Sequence, residues 1–218
     1  MQPATLTLSS KTYSSWSMRG WLMCRIAGID FIEQIQPIDD PNTRAELLLL
    51  SPSFLVPALT MDGIRIWDTL AIGETLAEWF PDSGLLPKDR VVRAHCRSVA
   101  GEMHTGFYNL RSALPMNLKA RYPGFKVWAG AQGDIQRVTE IWRDCLGRYG
   151  GPFLFGKAPT IADAMYAPVC TRFITYDVKL DPACVRYCET IRMWGPVVEW
   201  YQGAAAEPDE IEELDAEF

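Results

Sequence analysis

Three short stretches carry side chains able to hold and activate a small polar ligand. In Tyr13-Ser14-Ser15-Trp16-Ser17-Met18-Arg19, hydroxyls cluster where a β-prone run ends and a helical pattern begins. The start of a helix offers unpaired backbone N–H groups and the positive end of a dipole, so an anion beside Ser14 or Ser15 is favoured. A serine there also serves as a plain N-cap. Val56-Pro57-Ala58-Leu59 places a proline at the start of another β-prone run, where a cis peptide is one way to turn the chain. Its backbone is then placed to pair with a peptide-like ligand by strand addition. Asp68-Thr69 precedes a helical pattern and offers a carboxylate, a hydroxyl and helix N–H groups, which suit either a cap or a ligand carboxylate.

The elements that position these groups follow from periodicity. Residues 4–8 alternate as a strand, and Met18, Leu22, Ile26 and Ile29 recur at helical spacing after Ser14-Ser15. Phe31 to Ile38 reads as a second strand, and Thr43 to Leu50 as a short helix. Val56 to Leu59 and Ile64 to Trp67 are strands joined by Met61-Asp62-Gly63 as a hairpin. Thr69 to Phe80 closes a βαβαββα order with an apolar face of Leu70, Leu76, Ala77 and Phe80. Pro81 to Lys88 reads as a linker. Helices are expected near 89–114, 134–149, 160–177 and 184–204, the last broken at Gly195-Pro196. The acidic stretch Glu207 to Glu217 reads as a solvated tail or frayed helix.

Composition narrows the chemistry. The chain has 218 residues, 48% of them hydrophobic, and a net charge of −6, which argues against a nucleic-acid partner held by phosphate contacts. The first ten residues carry neither the charge nor the apolar core of a signal peptide, and no run is long enough to span a bilayer, so a cytoplasmic protein with no membrane partner is expected. Six cysteines without a C-x-x-C pair, and only two histidines, predict reduced thiols and no metal site. Cys184 and Cys188 share a helix face, but four-residue spacing within one helix is poor disulfide geometry. His104 and Arg111 fall on the first long helix, His104 as a structural residue or a polar contact; the eight tryptophans read as core and pocket residues.

In combination, order and spacing resemble the glutathione S-transferase family, serine-type and zeta-like. Ser14, Ser15, Ser17 and Arg19 resemble its Ser-Ser-x-Ser-x-Arg stretch, and Val56-Pro57-Ala58-Leu59 its Val-Pro-x-Leu. Asp68-Thr69-Leu70-Ala71-Ile72 resembles Glu/Gln-Ser-x-Ala-Ile, and Thr160-Ile161-Ala162-Asp163 its Ser/Thr-x-x-Asp capping box.

The resemblance implies an α+β thioredoxin-like domain over residues 1–80, a linker at 81–88 and an all-helical domain over 89–218 that contributes the electrophile site. It implies glutathione as co-substrate, without metal, and a homodimer acting on a small electrophile. Ser14 is the implied donor to the glutathione sulfur and Ser15 its reserve. Val56 and Pro57 are implied for the cysteinyl part, and Asp68 and Thr69 for the γ-glutamyl group. Leu55 stands where a polar residue often precedes Val-Pro, leaving the glycine carboxylate to a candidate such as Arg44. Trp16 occupies the place of a cysteine in zeta-class isomerases, which bears against maleylacetoacetate isomerase activity. Alternatives are a glutathione-dependent isomerase, a thiol reductase or peroxidase, which places cysteine where this chain has serines, and a non-catalytic binding protein of the same fold.

Overall fold

The computed structural model describes residues 3–37, 41 and 56–208. The expected helix at Thr43–Leu50, Leu55, Arg44 and the tail beyond Pro208 lie outside the described residues. Four strands, β1 (Ala4–Leu8), β2 (Phe31–Ile35), β3 (Ala58–Met61) and β4 (Ile64–Trp67), form one sheet in the order β2-β1-β3-β4. β1 and β2 run parallel, connected through α1 (Ser15–Ala27), while β3 is antiparallel to both β1 and β4. Asp62 at φ 50° and Gly63 at φ 78° make the tight turn between β3 and β4, the two left-handed positions of a type I′ hairpin.

The helices against this sheet are α1 and α2 (Thr69–Trp79). They are followed by α3 (Arg90–Thr105), α4 (Tyr108–Ala113), α5 (Gln132–Tyr149), α6 (Ile161–Thr175), α7 (Pro182–Met193) and α8 (Gly195–Ala206). The expected helix over 89–114 is two helices. Gly106 ends α3, Phe107 takes a left-handed φ of 61°, and the Asp134 carboxylate accepts the Leu110 N–H at 2.9 Å, fixing the start of α4 from a distant segment. The break predicted at Gly195-Pro196 falls at Trp194, between α7 and α8.

The sheet layer and the helical layer share one core. α6 is buried along nearly its whole length and packs on α1, α3 and α7. Contact is close enough that a Cβ on Gly73 of α2 would meet Ile161 Cδ1 of α6 at 2.4 Å. The start of α6 is locked by the predicted capping box. Asp163, fully buried, accepts from Thr160 N (2.9 Å) and Thr160 Oγ1 (3.1 Å), and its other oxygen accepts from Leu154 N (2.9 Å) and Tyr187 OH (3.1 Å).

Candidate active site

Ser14 is the N-cap of α1. Its Oγ accepts the Ser17 N–H at 3.2 Å and donates to Ser17 Oγ at 2.9 Å, while Ser14 N donates to Ser10 O at 2.9 Å. The side chain is thus held on the helix axis, where the first N–H groups converge. Ser15, one residue on, accepts a 3.3 Å hydrogen bond from Arg19 Nη1 one turn below. Both serines are buried, with 2% and 8% exposure. Ser17 ties this helix start to the end of β1 by accepting the Ser9 N–H at 3.0 Å.

The Val56–Pro57 peptide is cis and Val56 is buried. Pro57 lies directly on α1: a Cβ on Gly20 would meet Pro57 Cβ at 2.6 Å, so only glycine lets the helix and the start of β3 approach this closely. Asp68 N-caps α2 from a backbone with φ 74° and ψ 136°, a conformation that L-residues rarely adopt. Its Oδ1 accepts from Leu70 N (2.9 Å) and Ala71 N (3.2 Å), and its Oδ2 pairs with His104 Nε2 at 2.5 Å. Burial raises the Asp68 carboxyl, but the His104 hydrogen bond and the Ala71 and Leu70 N–H groups outweigh it and hold it below the usual carboxylate range. Beside it, the Thr69 hydroxyl is buried and has no hydrogen-bond partner among the described residues, a polar group that calls for a ligand or solvent.

Trp16 forms the wall between these two helix starts. Its ring is flanked by the guanidinium groups of Arg19 at 4.4 Å and Arg111 at 5.4 Å, with the His104 ring edge-on at 5.5 Å. Arg19 is fully buried and donates from Nε to Met165 O at 2.9 Å, leaving Nη2 without a partner among the described residues. Arg172 reaches across from α6 to donate to the carbonyls of Arg111 and Leu114, and its Nε, like that of Arg111, is unpartnered. Burial, followed by the neighbouring Arg172 and Arg111 charges, holds Arg19 well below its ordinary value, and burial with Arg111 lowers Arg172 to about 9. Arg19 and Arg111 flank Trp16 with spare donors and donate to no carboxylate among the described residues, which favours an anion near the start of α1. Arg172 escapes a sequence reading: in the mainly apolar helix Ile161–Thr175 it is the one cation, with Asp163 the other charged residue.

The structure therefore brings Ser14, Ser15, Trp16, Pro57, Asp68 and Thr69 to the end of the sheet where β1 and β4 finish and β3 begins, with Arg111 and His104 of the helical layer against Trp16. The six cysteines are buried and free. Burial pushes the Cys96, Cys145 and Cys184 thiols up to about 12 and Cys24 still further, so these four do not resemble activated thiolates. Among the described residues, His95, Asp144 and Cys145 bring ligand atoms within 4.8 Å of one another, but Asp144 already accepts from Arg148 Nε at 2.7 Å.

Residues 13–79 match the family model "Glutathione S-transferase, N-terminal domain", and residues 125–203 match "Glutathione S-transferase, C-terminal domain". The chain belongs to the glutathione S-transferase family. It is 31% identical over 185 residues to the maleylacetoacetate isomerase of Rattus norvegicus, covering 84% of each chain. It is 27% identical over 170 residues to a probable maleylacetoacetate isomerase of Caenorhabditis elegans, covering 78% of this chain and 79% of the relative. Among solved structures, a maleylacetoacetate isomerase from Anaeromyxobacter dehalogenans with bound GSH superposes with a TM-score of 0.68 at 23% identity, over 96% of this chain and 99% of that one. A glutathione transferase homologue from Burkholderia with bound glutathione gives 0.69 at 22%, over 95% and 100%. The fold is thus the two-layer arrangement of this family, a thioredoxin-like mixed sheet followed by a helical bundle. No helix among the described residues is long and apolar enough to cross a membrane.

Proposed function

We propose that the chain binds glutathione against Val56, Pro57, Asp68 and Thr69 and activates its thiol at the start of α1 for attack on a small electrophile. The thiol passes its proton to solvent and the thiolate forms the new C–S bond, while the electron pair of the bond that breaks leaves with the departing group or, at an activated double bond, moves onto the neighbouring carbon, which then takes a proton from solvent. The observation that carries this reading is the convergence of two hydroxyls, a helix N-terminus and spare guanidinium donors at one point, which favours an anion there. Lowering a cysteine-type thiol from about 8.5 by about two units needs roughly 2.7 kcal/mol of preferential thiolate stabilisation. One charge-assisted hydrogen bond and a helix terminus supply an amount of that order. The unpartnered Thr69 hydroxyl supports a carboxylate of the γ-glutamyl group beside it. The division into residues 1–80 for glutathione, 81–88 as linker and 89–218 for the electrophile fits this arrangement.

A second reading is favoured by Arg19, Arg111 and Arg172: the electrophile carries carboxylate groups, as with the dicarboxyethyl glutathione and citrate bound to the Anaeromyxobacter isomerase. Thiolate addition to an unsaturated acid followed by elimination would isomerise rather than conjugate. Trp16 in the cysteine position weighs against the isomerase reaction itself. The working unit is read as a cytoplasmic homodimer, supported by Ile64, Trp67 and Trp79, which leave an apolar surface on β4 and α2 more than a third exposed. A scattering mass of 24.6 kDa at micromolar protein would rule that dimer out. For the activity, retention on immobilised glutathione is assayed first, then thiol consumption with neutral and carboxylate-bearing electrophiles. Failure to bind glutathione refutes the proposal; equal rates with both classes refute the carboxylate reading.

A further inference from the structure

The loop that delivers Ser14 is held from outside by a residue at the far end of the chain. Between β1 and α1, the backbone from Ser9 to Tyr13 turns so that several donors face the same way. Glu207, just beyond α8, places its carboxylate against them. Its Oε2 accepts from Ser10 Oγ at 2.8 Å, Thr12 N at 2.9 Å and Thr12 Oγ1 at 2.8 Å, and its Oε1 accepts from Lys11 N at 2.5 Å. Four donors of one five-residue loop thus converge on a single carboxylate, an anion nest filled by the protein's own side chain.

The grip extends in both directions. Behind Glu207, its carbonyl accepts from Lys119 Nζ at 2.6 Å, and α8 adds Trp200 Nε1 donating to Lys11 O at 2.9 Å. In front, Ser10 accepts from Thr12 N (3.1 Å) and Tyr13 N (3.3 Å) on its hydroxyl and from Ser14 N (2.9 Å) on its carbonyl. Glu207 is therefore one hydrogen-bonded residue, Ser10, away from the backbone of Ser14. The Lys11 side chain points elsewhere, to Glu33 at 2.6 Å, so the loop's own ammonium does not neutralise Glu207.

We propose that Glu207 is a positioning residue for the active-site hydroxyls: its carboxylate sets the β1–α1 loop so that Ser14 and the first N–H groups of α1 face the ligand sulfur. This rests on the reading that this helix start stabilises the glutathione thiolate. Glu207, directly after α8, then completes the active-site loop. A fixed array of donors stabilises developing charge better than one that must reorganise, so loosening the loop acts on the bound thiolate more than on the grip on the rest of the tripeptide.

The test compares wild type, Glu207→Ala, Glu207→Gln and Ser14→Ala as full-length proteins. The pKa of bound glutathione is read from thiolate ultraviolet absorbance against pH, with kcat and KM and with amide exchange at Lys11 and Thr12. Glu207→Ala is expected to raise the bound-thiol pKa by about one unit, equivalent to a roughly tenfold loss of thiolate at a pH below it. KM for glutathione should change little, the Lys11 and Thr12 amides should exchange faster, and added acetate should restore the lower pKa by refilling the nest. Glu207→Gln keeps the volume and one acceptor, so it reports on the charge should the alanine variant fail to fold; it is expected to show a smaller shift in the same direction. A normal bound-thiol pKa in both Glu207 variants, with a raised value in Ser14→Ala, overturns the role of Glu207 and leaves the serine reading standing. If Ser14→Ala and both Glu207 variants all match wild type, the serine reading fails and the proposal with it.

Discussion

The Asp68 carboxylate and the His104 imidazole lie 2.5 Å apart and join the start of α2 to the last turn of α3. The residue expected to meet a ligand ammonium is thus already shared between a helix cap and a side chain of the other layer. A ligand ammonium at Asp68 must share Oδ2 with His104. His104→Gln should therefore leave the carboxylate more available and tighten glutathione binding about two- to fivefold, the scale of a part-exposed charged pair. Asp68→Asn should weaken it by a similar factor or more. Calorimetric titration of glutathione into both variants checks this, and unchanged affinity in Asp68→Asn would remove Asp68 from the ligand site.

Ser14 and Ser15 separate by two readouts. Ser14→Ala removes an N-cap and should cost about 1 kcal/mol of stability, whereas Ser15→Ala removes only an acceptor of the Arg19 guanidinium. If Ser14 is the donor to the thiolate, its loss raises the bound-thiol pKa and slows turnover roughly ten- to a hundredfold below that pKa, the equivalent of about 1.5–3 kcal/mol. Parallel thiolate titrations and melting curves of the two variants assign the roles; a shift confined to Ser15→Ala transfers the donor role to Ser15.

Arg111 stands beside Trp16, and both it and Arg172, which donates to the Arg111 carbonyl, carry Nε groups without a partner among the described residues. Arg172→Met should lower kcat/KM for a carboxylate-bearing electrophile tenfold or more, a charged hydrogen bond being worth about 1.5–3 kcal/mol, while a neutral electrophile loses little. Steady-state kinetics with the two substrate types decide the matter, and equal losses for both would reduce Arg172 to a structural role.

Asp163 governs a stability window. Burial raises its carboxyl from 3.8 to about 6 despite four donors, so between about pH 4 and 6 the folded chain holds a proton that the unfolded chain has released. The contribution of this group is therefore largest below about pH 4 and is lost as the pH rises through about 6. The difference in unfolding free energy between wild type and Asp163→Asn should shrink across that interval as the pH is raised. Asp163→Ala, which orphans four buried donors, should cost about 3 kcal/mol or more at neutral pH. Urea unfolding at pH 4, 5, 6 and 7 provides the check, and a pH-independent difference would show that Asp163 does not titrate there.

Cys24, the thiol nearest the site in sequence, sits fully buried on α1. Cys24→Ala should retain turnover, since a buried thiol with a raised pKa supplies no nucleophile. Abolished turnover in a folded variant would point to thiol chemistry instead.

What the sequence determined by itself is what short-range physics decides. The strands were legible from alternation and β-propensity, the third displaced by two residues from Val56–Leu59 to Ala58–Met61; the starts of α1, α2 and α6 and the serine pair at a helix N-terminus were legible because an N-cap or capping box acts over three residues. The Asp62-Gly63 turn was legible because two residues carry its backbone conformation. The order of these features also identified the family.

Tertiary structure decided everything that spans elements. The split of α3 from α4 depends on Asp134 holding Leu110 N, a contact across 24 residues that no periodicity encodes. The cationic flanks of Trp16 come from Arg19 of α1 and Arg111 of α4, which no local pattern pairs. Asp68 was legible as a cap but not as the partner of His104, and Glu207 read as the start of an acidic tail although its carboxylate closes on Ser10, Lys11 and Thr12. In each case a charged group far along the chain finds donors or partners that local sequence leaves unpaired, and only packing of the two layers brings them within hydrogen-bond reach.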